Sequence, residues 1–263
     1  MTSDELTPEE QKVLAHVKSG SAFQLLQMLA EEDPVVQEEI RNKSFILGLS
    51  VAGGMKRSVR ISDSRITPLD GSVKGAGVIF RFPVYNELNN LLSGKKTKML
   101  PILRSLAAGK IIAGFKTLTS RIPVYINAEP DFLDKNFRAV TRMLICAALR
   151  GIKEVAENDS YTAARVAGIP DGIIALQVEN DAGLEARIEK SGSSFTVTTI
   201  ADGRIPNAVL TFKDADTAHK LFTGKINAVV ALGTSDVRIR GRIPMIQGLF
   251  PILDRLSYYM AIE

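Results

Sequence analysis

The chain has 263 residues, 45% of them hydrophobic and 24% charged, which supplies enough apolar material for a sizeable core and excludes bulk disorder. Its single cysteine, Cys146, excludes an intramolecular disulfide framework and fits a reducing compartment. The net charge of +4 is unevenly spread: residues 1–42 hold three Lys/Arg against nine Asp/Glu, residues 43–121 fourteen against three, and residues 122–263 sixteen against seventeen. Such asymmetry marks a surface for anionic membranes, phosphate-bearing ligands or nucleic acid, or else a basic segment neutralised by an acidic leader folding back on it. Nucleic acid fits least, because the cations are scattered and no stacking aromatics accompany them.

In chain order, the acidic start MTSDELTPEEQ lacks the basic and apolar regions of a secretion signal. No apolar run approaches the roughly 18 residues of a membrane span, so the expectation is a soluble, cytoplasmic protein. Thr7-Pro8-Glu9-Glu10 carries a capping-box signature, predicting a helix to about Lys18 that Ser19-Gly20 breaks. Ser21 then caps a second helix, with Ala22, Leu25, Leu26 and Leu29 on one stripe, and Asp33-Pro34 starts a third through Arg41. From Phe45 the period changes to that of strands: Phe45 to Val51, Val59 to Ser62, and Val78 to Phe82. Val84 to Leu92 reads as a short helix stopped at Ser93-Gly94, and two apolar stretches follow, Met99 to Leu106 and Ile111 to Phe115, the second predicted as a strand.

Pro130-Asp131 opens the longest predicted helix, with Leu133, Phe137, Val140, Leu144 and Ala148 on one stripe. Cys146 lies in its apolar run and suits a buried inert thiol better than a nucleophile. Asp159 starts a short helix, and strands are predicted at Ile173 to Val178, Leu184 to Glu189, Phe195 to Thr198 and Ala208 to Phe212. Asp214 caps a helix to Phe222 that stops at Gly224, Val237 to Arg240 alternates as a strand, and a Pro-punctuated turn from Pro244 to Pro251 leads into a last helix through Met260.

The two halves repeat. Asp33 and Asp159 lie 126 residues apart, Phe82 and Phe212 130, and Leu91-Leu92-Ser93-Gly94-Lys95 precedes Leu221-Phe222-Thr223-Gly224-Lys225 by 130. The order of elements agrees between them, which points to an internal duplication. The expected organisation is an acidic helical lead-in over 1–42, a first basic copy over 43–128, a long helix and second lead-in over 129–170, and a second copy over 171–263.

Residues 171–263 resemble the sterol carrier protein 2 (SCP2) domain. The resembling residues are Pro206 to Phe212, the helix ending Lys220-Leu221-Phe222-Thr223-Gly224-Lys225, and Val237-Arg238-Ile239-Arg240-Gly241. The resemblance implies an α+β fold, a mostly antiparallel sheet of about five strands with helices on one face, here duplicated in tandem, enclosing an apolar tunnel that binds lipids, sterols or fatty acyl chains without chemistry. The first copy departs from the pattern where Gly109-Lys110-Ile111-Ile112-Ala113-Gly114 replaces the Val237 to Gly241 strand.

A lipid pocket needs apolar side chains from the inner sheet face and from helices that do not fully interdigitate with it. The candidate wall is Leu210, Phe212, Leu221, Phe222, Ile239, Ile243, Met245, Leu249, Phe250 and Leu253, with Arg204, Arg238, Arg240 and Arg242 as candidate head-group contacts. Filled core is the competing reading for the former, and solvated strand faces for the latter. No catalytic, metal or cofactor motif emerges. Ser93 to Thr97 lacks the upstream glycine of a phosphate loop, Gly48 to Gly53 misses nucleophile-elbow spacing by one residue, and Gly71 to Gly77 precedes a strand instead of a helix. His16 and His219 stand alone on predicted helices, which suits surface or capping roles. Two functions remain: a lipid or acyl-chain carrier, or an interaction subunit with collapsed pockets whose basic region 43–121 docks an acidic protein, a lipid-metabolism enzyme or an anionic membrane.

Overall fold

The computed structural model describes residues 5–200 and 202–262; the first four residues of the acidic start lie outside the described residues. The chain divides into two units, one running to Asn127 and the other spanning Ala128–Ala261.

In the first unit, α1 (Pro8–Glu32) begins with the capping box expected from its sequence: Glu10 N donates to Thr7 Oγ1 at 3.3 Å, and Thr7 N to Glu10 Oε2 at 3.1 Å. The helix does not break at Ser19-Gly20. Ser19 is fully buried, its hydroxyl donating to Ala15 O at 2.6 Å and accepting from Arg57 Nη1 at 2.8 Å, while Arg57 Nη1 also donates to His16 O at 3.0 Å. Packing against the sheet thus overrides the local breaking signal. The remaining elements are α2 (Pro34–Ile40), β1 (Phe45–Val51), β2 (Lys56–Ser62), β3 (Arg65–Asp70), β4 (Val78–Phe82), α3 (Tyr85–Leu92), β5 (Leu100–Leu103), α4 (Ala108–Ser120) and α5 (Ile122–Ile126). The expected strand at Ile111 to Phe115 is therefore part of a helix. Its buried positions, Ala108, Ile111, Gly114 and Leu118, recur every three to four residues, which is helical spacing.

The five strands form one sheet in the order β3-β2-β1-β4-β5. The sheet is mixed: β1 and β4 pair in parallel and the other three pairings are antiparallel. Leu47, Leu49, Val51, Val59, Ile61, Val78, Phe80 and Phe82 share the inner face and are all buried. Arg57 lies on that face too, and its bonds to His16 and Ser19 put α1 over it. The loop 71–77 crosses the opposite face, where Ser58 Oγ donates to Ser72 O at 2.9 Å and Val73 covers Gly48.

The second unit contains α6 (Pro130–Asn158), α7 (Ser160–Ala167), β6 (Gly172–Val178), β7 (Asp181–Ser191), β8 (Ser194–Thr198), β9 (Ala208–Phe212), α8 (Ala215–Phe222), α9 (Ala228–Gly233), β10 (Val237–Gly241) and α10 (Ile243–Met260). Its sheet has the order β10-β9-β6-β7-β8, with β6 and β9 parallel and the rest antiparallel. The long helix is kinked at Asn136, and its buried set begins later than the expected stripe, at Val140, Met143, Ile145, Cys146 and Leu149. The expected turn from Pro244 to Pro251 lies inside α10: Pro244 sits in the first turn, where its missing N–H leaves no gap in the ladder, and Pro251 lies within.

The two sheets thus share one strand order and one parallel pair, an α+β arrangement consistent with tandem duplication. The smaller details repeat as well. Gly94 and Gly224 adopt φ of 72° and 71°; Lys95 N donates to Asn90 O and Lys225 N to Lys220 O, both at 2.8 Å, which makes each Gly-Lys a helix stop and not a phosphate loop. Asp33 caps α2 by accepting from Val36 N at 2.9 Å and pairs with Arg121 at 2.9 Å, with Tyr125 hydrogen-bonded to the same carboxylate. Asp159 caps α7 and accepts from Arg255 Nε at 2.9 Å and Tyr259 Oη at 2.8 Å. In both units an Arg and a Tyr one helical turn apart hold the capping aspartate.

Candidate functional site

The candidate wall in the second unit is built on the inner face of its sheet. Cross-strand pairing puts Leu210 opposite Ile239 and Phe212 opposite Val237, with Leu176 and Val178 on the parallel neighbour. Phe222, on α8, meets Phe212 edge-on at 5.7 Å between ring centroids. Met245 and Leu249 are buried on α10, and Phe250 and Leu253 half-buried, whereas Leu221 is half-buried on α8 and Ile243 is 50% exposed. The structure brings Leu210, Phe212, Phe222 and Ile239 together at the β9–β10 side of the sheet; Ile243 faces outward.

The four arginines divide. Arg204 bonds Asp202 at 2.6 Å and Glu189 at 2.8 Å, and Arg238 pairs with Glu179. Arg240 and Arg242 are exposed, and neither has an ion-pair partner among the described residues. Beneath Arg204 lies Arg187, 7% exposed, whose guanidinium donates to Glu185 at 2.6 Å, Asp202 at 2.7 Å and the Arg204 carbonyl at 2.6 Å. The bonds to Asp202 and the Arg204 carbonyl fasten the loop after β8 to the sheet, and the Arg204 side-chain hydrogen bond, with the Arg187 charge adding least, holds the Asp202 carboxyl below its usual range.

His219, expected at the surface, is buried on α8 against the Phe137 ring at 5.0 Å. Burial pushes its pKa down, with Lys225 acting in the same direction. No group of three or more His, Cys, Asp and Glu among the described residues is placed to hold a metal ion.

An open groove of about 890 Å³ lies in the first unit, where the sequence motifs gave no ligand site. One wall is the start of β1, Phe45 and Ile46, and the end of the loop crossing the sheet, Gly75-Ala76-Gly77; the other is Ser105, Ala107 and the α4 residues Lys110, Ile111, Ala113, Gly114 and Thr117. A Cβ on Gly77 would stand 2.9 Å from Ile111 Cδ1 and 3.1 Å from Ser105 Cβ, so glycine is what lets these walls meet at the groove's base. Arg104 is tied to the sheet through its backbone N–H, which donates to Gly77 O at 2.8 Å. The lining carries three cations, Lys43, Arg104 and Lys110, against one carboxylate, Glu39, which pairs with Lys43. Neither the Arg104 nor the Lys110 side chain has a carboxylate partner among the described residues. The arrangement is an apolar trough with a cationic rim. It offers shape, apolar contact and positive charge. Its signal in the sequence is the facing of Gly75-Ala76-Gly77 by Ala107, Ala113 and Gly114, small residues on both sides of one space.

No protein-family model and no curated protein matches the chain. Solved structures do. The chain is similar to the sterol carrier protein domain 2 of Helicoverpa armigera, at 18% identity over 44% of this chain and 89% of that one, with a TM-score of 0.33. It is similar to the ubiquinone synthesis protein UbiJ-SCP2, at 12% identity over 44% of this chain and 93% of that one, with a TM-score of 0.31. It is also similar to the apo form of sterol carrier protein 2 from Yarrowia lipolytica, at 20% identity over 44% and 91%, with a TM-score of 0.30. These solved neighbours are SCP2 domains. Each match spans less than half of this chain.

Proposed function

We propose that this protein binds, and possesses the means to carry, a lipid, sterol-like or fatty acyl ligand without acting on it chemically. The groove of the first unit supports the reading most directly. Its volume of about 890 Å³ falls in the range of roughly 300–1,000 Å³ typical of small-molecule sites. Phe45, Ile46, Ala76 and Ile111 would take an apolar chain, each buried methylene contributing about 0.8 kcal/mol. Arg104 and Lys110, unneutralised at the rim, would favour an anionic head. The sequence resemblance of residues 171–263 to the SCP2 domain adds support of a different kind. In the second unit, Leu210, Phe212, Phe222 and Ile239 are the residues that would face a ligand if that copy also opens.

The test is organic extraction of the full chain purified from cells, followed by mass spectrometry, together with displacement of a fluorescent fatty acid. The expected result is a co-purifying lipid and a displaceable probe. Ala113→Trp, which fills the groove from an exposed position on α4, should weaken probe binding at least about tenfold while leaving the circular dichroism unchanged. Protein that carries no lipid and binds no probe overturns the reading. The interaction-subunit alternative, in which residues 43–121 dock an acidic protein, draws on the uneven charge and would then lead.

A further inference from the structure

The segment that leads into the groove has an unusual surface. Between Glu87 and Glu129 the sequence holds seven Lys/Arg and no acidic residue. Lys95, Lys96 and Lys98 follow the stop of α3 and are exposed. The Glu87 carboxylate accepts from Lys98 N at 2.6 Å and from Thr97 Oγ1 at 3.2 Å. It orders the loop by its backbone and leaves the ammonium groups without a carboxylate partner among the described residues. Directly after the lysines come apolar side chains that the fold does not bury: Leu100 is 62% exposed, Leu103 58%, and Leu106 fully exposed. Leu100 and Leu103 belong to β5, one of the two edge strands, and Leu106 stands between two groove-lining residues, Ser105 and Ala107.

Exposed leucines on an edge strand invite another strand, but Pro101, in the middle of β5, is the residue edges use to refuse one. Nucleic acid would use the cations and leave the leucines in water. An acidic protein would have to supply both anions and an apolar pocket. The surface of an anionic bilayer satisfies both at once, with lysines at the phosphate level and leucines below it.

We propose that Lys95 to Leu106 is a wedge that docks the first unit on an anionic lipid bilayer, with Leu106 entering the interface at the mouth of the groove. The proposal deepens the lipid-binding reading, and rests on it only for what a docked molecule would exchange.

Flotation of the full chain with vesicles of phosphatidylcholine and phosphatidylglycerol at roughly 7:3 tests it. The chain should float with these vesicles, stay behind with phosphatidylcholine alone, and be released as salt rises from about 0.1 to about 0.5 M. The triple variant Lys95→Glu, Lys96→Glu, Lys98→Glu should lose at least about tenfold in partitioning. Because the chain has no tryptophan, Leu106→Trp provides a single reporter; its emission should shift to the blue on anionic vesicles and be quenched by brominated acyl chains. Leu103→Asp with Leu106→Asp, at exposed positions that the fold does not need, should abolish flotation even at low salt. Failure to float, or an indole reporter that stays in water while the Leu106→Trp protein floats, overturns the wedge. Binding to poly-L-glutamate without binding to vesicles overturns it in favour of an acidic protein. The groove-filling Ala113→Trp should float normally, so a failed ligand assay leaves this result standing on its own.

Discussion

The two units share a strand order, a parallel pair and a capping triad, yet they treat charge in opposite ways. In the second unit, four arginines are consumed internally, Arg138 by Asp181, Arg150 by Glu154, Arg187 by Glu185 and Asp202, and Arg204 by Asp202 and Glu189, while Arg240 and Arg242 stay exposed. In the first, Asp33 of the acidic leader pairs with Arg121 and Glu39 with Lys43, while Lys95, Lys96, Lys98, Arg104 and Lys110 face outward without such partners among the described residues. The comparison separates what the scaffold requires from what one unit adds to it. The strand order and the Asp–Arg–Tyr triad appear twice and hold the fold; the cationic rim and the small-residue groove appear in the first unit as additions.

The largest expected effect tests the shared part. Asp33→Ala and Asp159→Ala each remove a buried cap together with the partner of an arginine and a tyrosine, and each should destabilise its own unit by about 3 kcal/mol. Calorimetry of the full chain should show the loss in one transition at a time; an effect confined to one variant would break the equivalence. The next effect sharpens the contrast in how the loop crossing each sheet is held. Arg187→Met deletes three hydrogen bonds and should cost about 2 kcal/mol, against about 1 kcal/mol for Ser58→Ala, measured by chemical denaturation. Equal costs would mean that the two fastenings are alike.

The smallest effect is a divergence with pH. Burial disfavours charged His219, so the folded second unit binds fewer protons than its unfolded chain, and its stability should fall as pH drops through about 6.5 and below. In the first unit Tyr125 is pushed up to about 12, chiefly by burial and then by the Asp33 carboxylate. Its neutral phenol is favoured by folding, so that contribution is complete below about pH 10 and is lost as pH rises toward 12. Thermal scans across pH should move the two transitions from opposite ends, and His219→Gln should flatten the acid side.

Much of the scaffold was legible in the sequence because it rests on local rules. The Thr7 and Asp214 caps, the Gly-Lys stops and the alternation of Leu184, Ala186 and Ile188 against Glu185, Arg187 and Glu189 each declare an element without reference to the rest of the chain. Where the rules competed, packing decided: Ser19-Gly20 reads as a break until Arg57 arrives from β2, and Ile111 to Phe115 reads as a strand until its buried positions prove helical. The triads were half visible, since Asp33 and Asp159 were matched while Arg121 with Tyr125, and Arg255 with Tyr259, form a second repeated pair at an offset of 134. The groove was hidden because it arises from side chains too small to fill a space, and periodicity registers the residues that are present. Apolar motifs drew attention to Phe212 and Phe222, which pack against each other.

The fastening of the two loops bears on exchange rates. In the second unit the loop after β8 is held at its centre by a buried guanidinium shared among two carboxylates and a carbonyl. In the first, the Ser58 hydroxyl holds the corresponding loop near its start, and its far end, Gly75 to Gly77, is a wall of the groove. Gly77 itself is pinned on both sides, donating to Ile46 O at 2.9 Å and accepting from Arg104 N at 2.8 Å, so widening of the groove would begin at Gly75 and Ala76, and the height of that barrier would set how long any occupant of the groove stays.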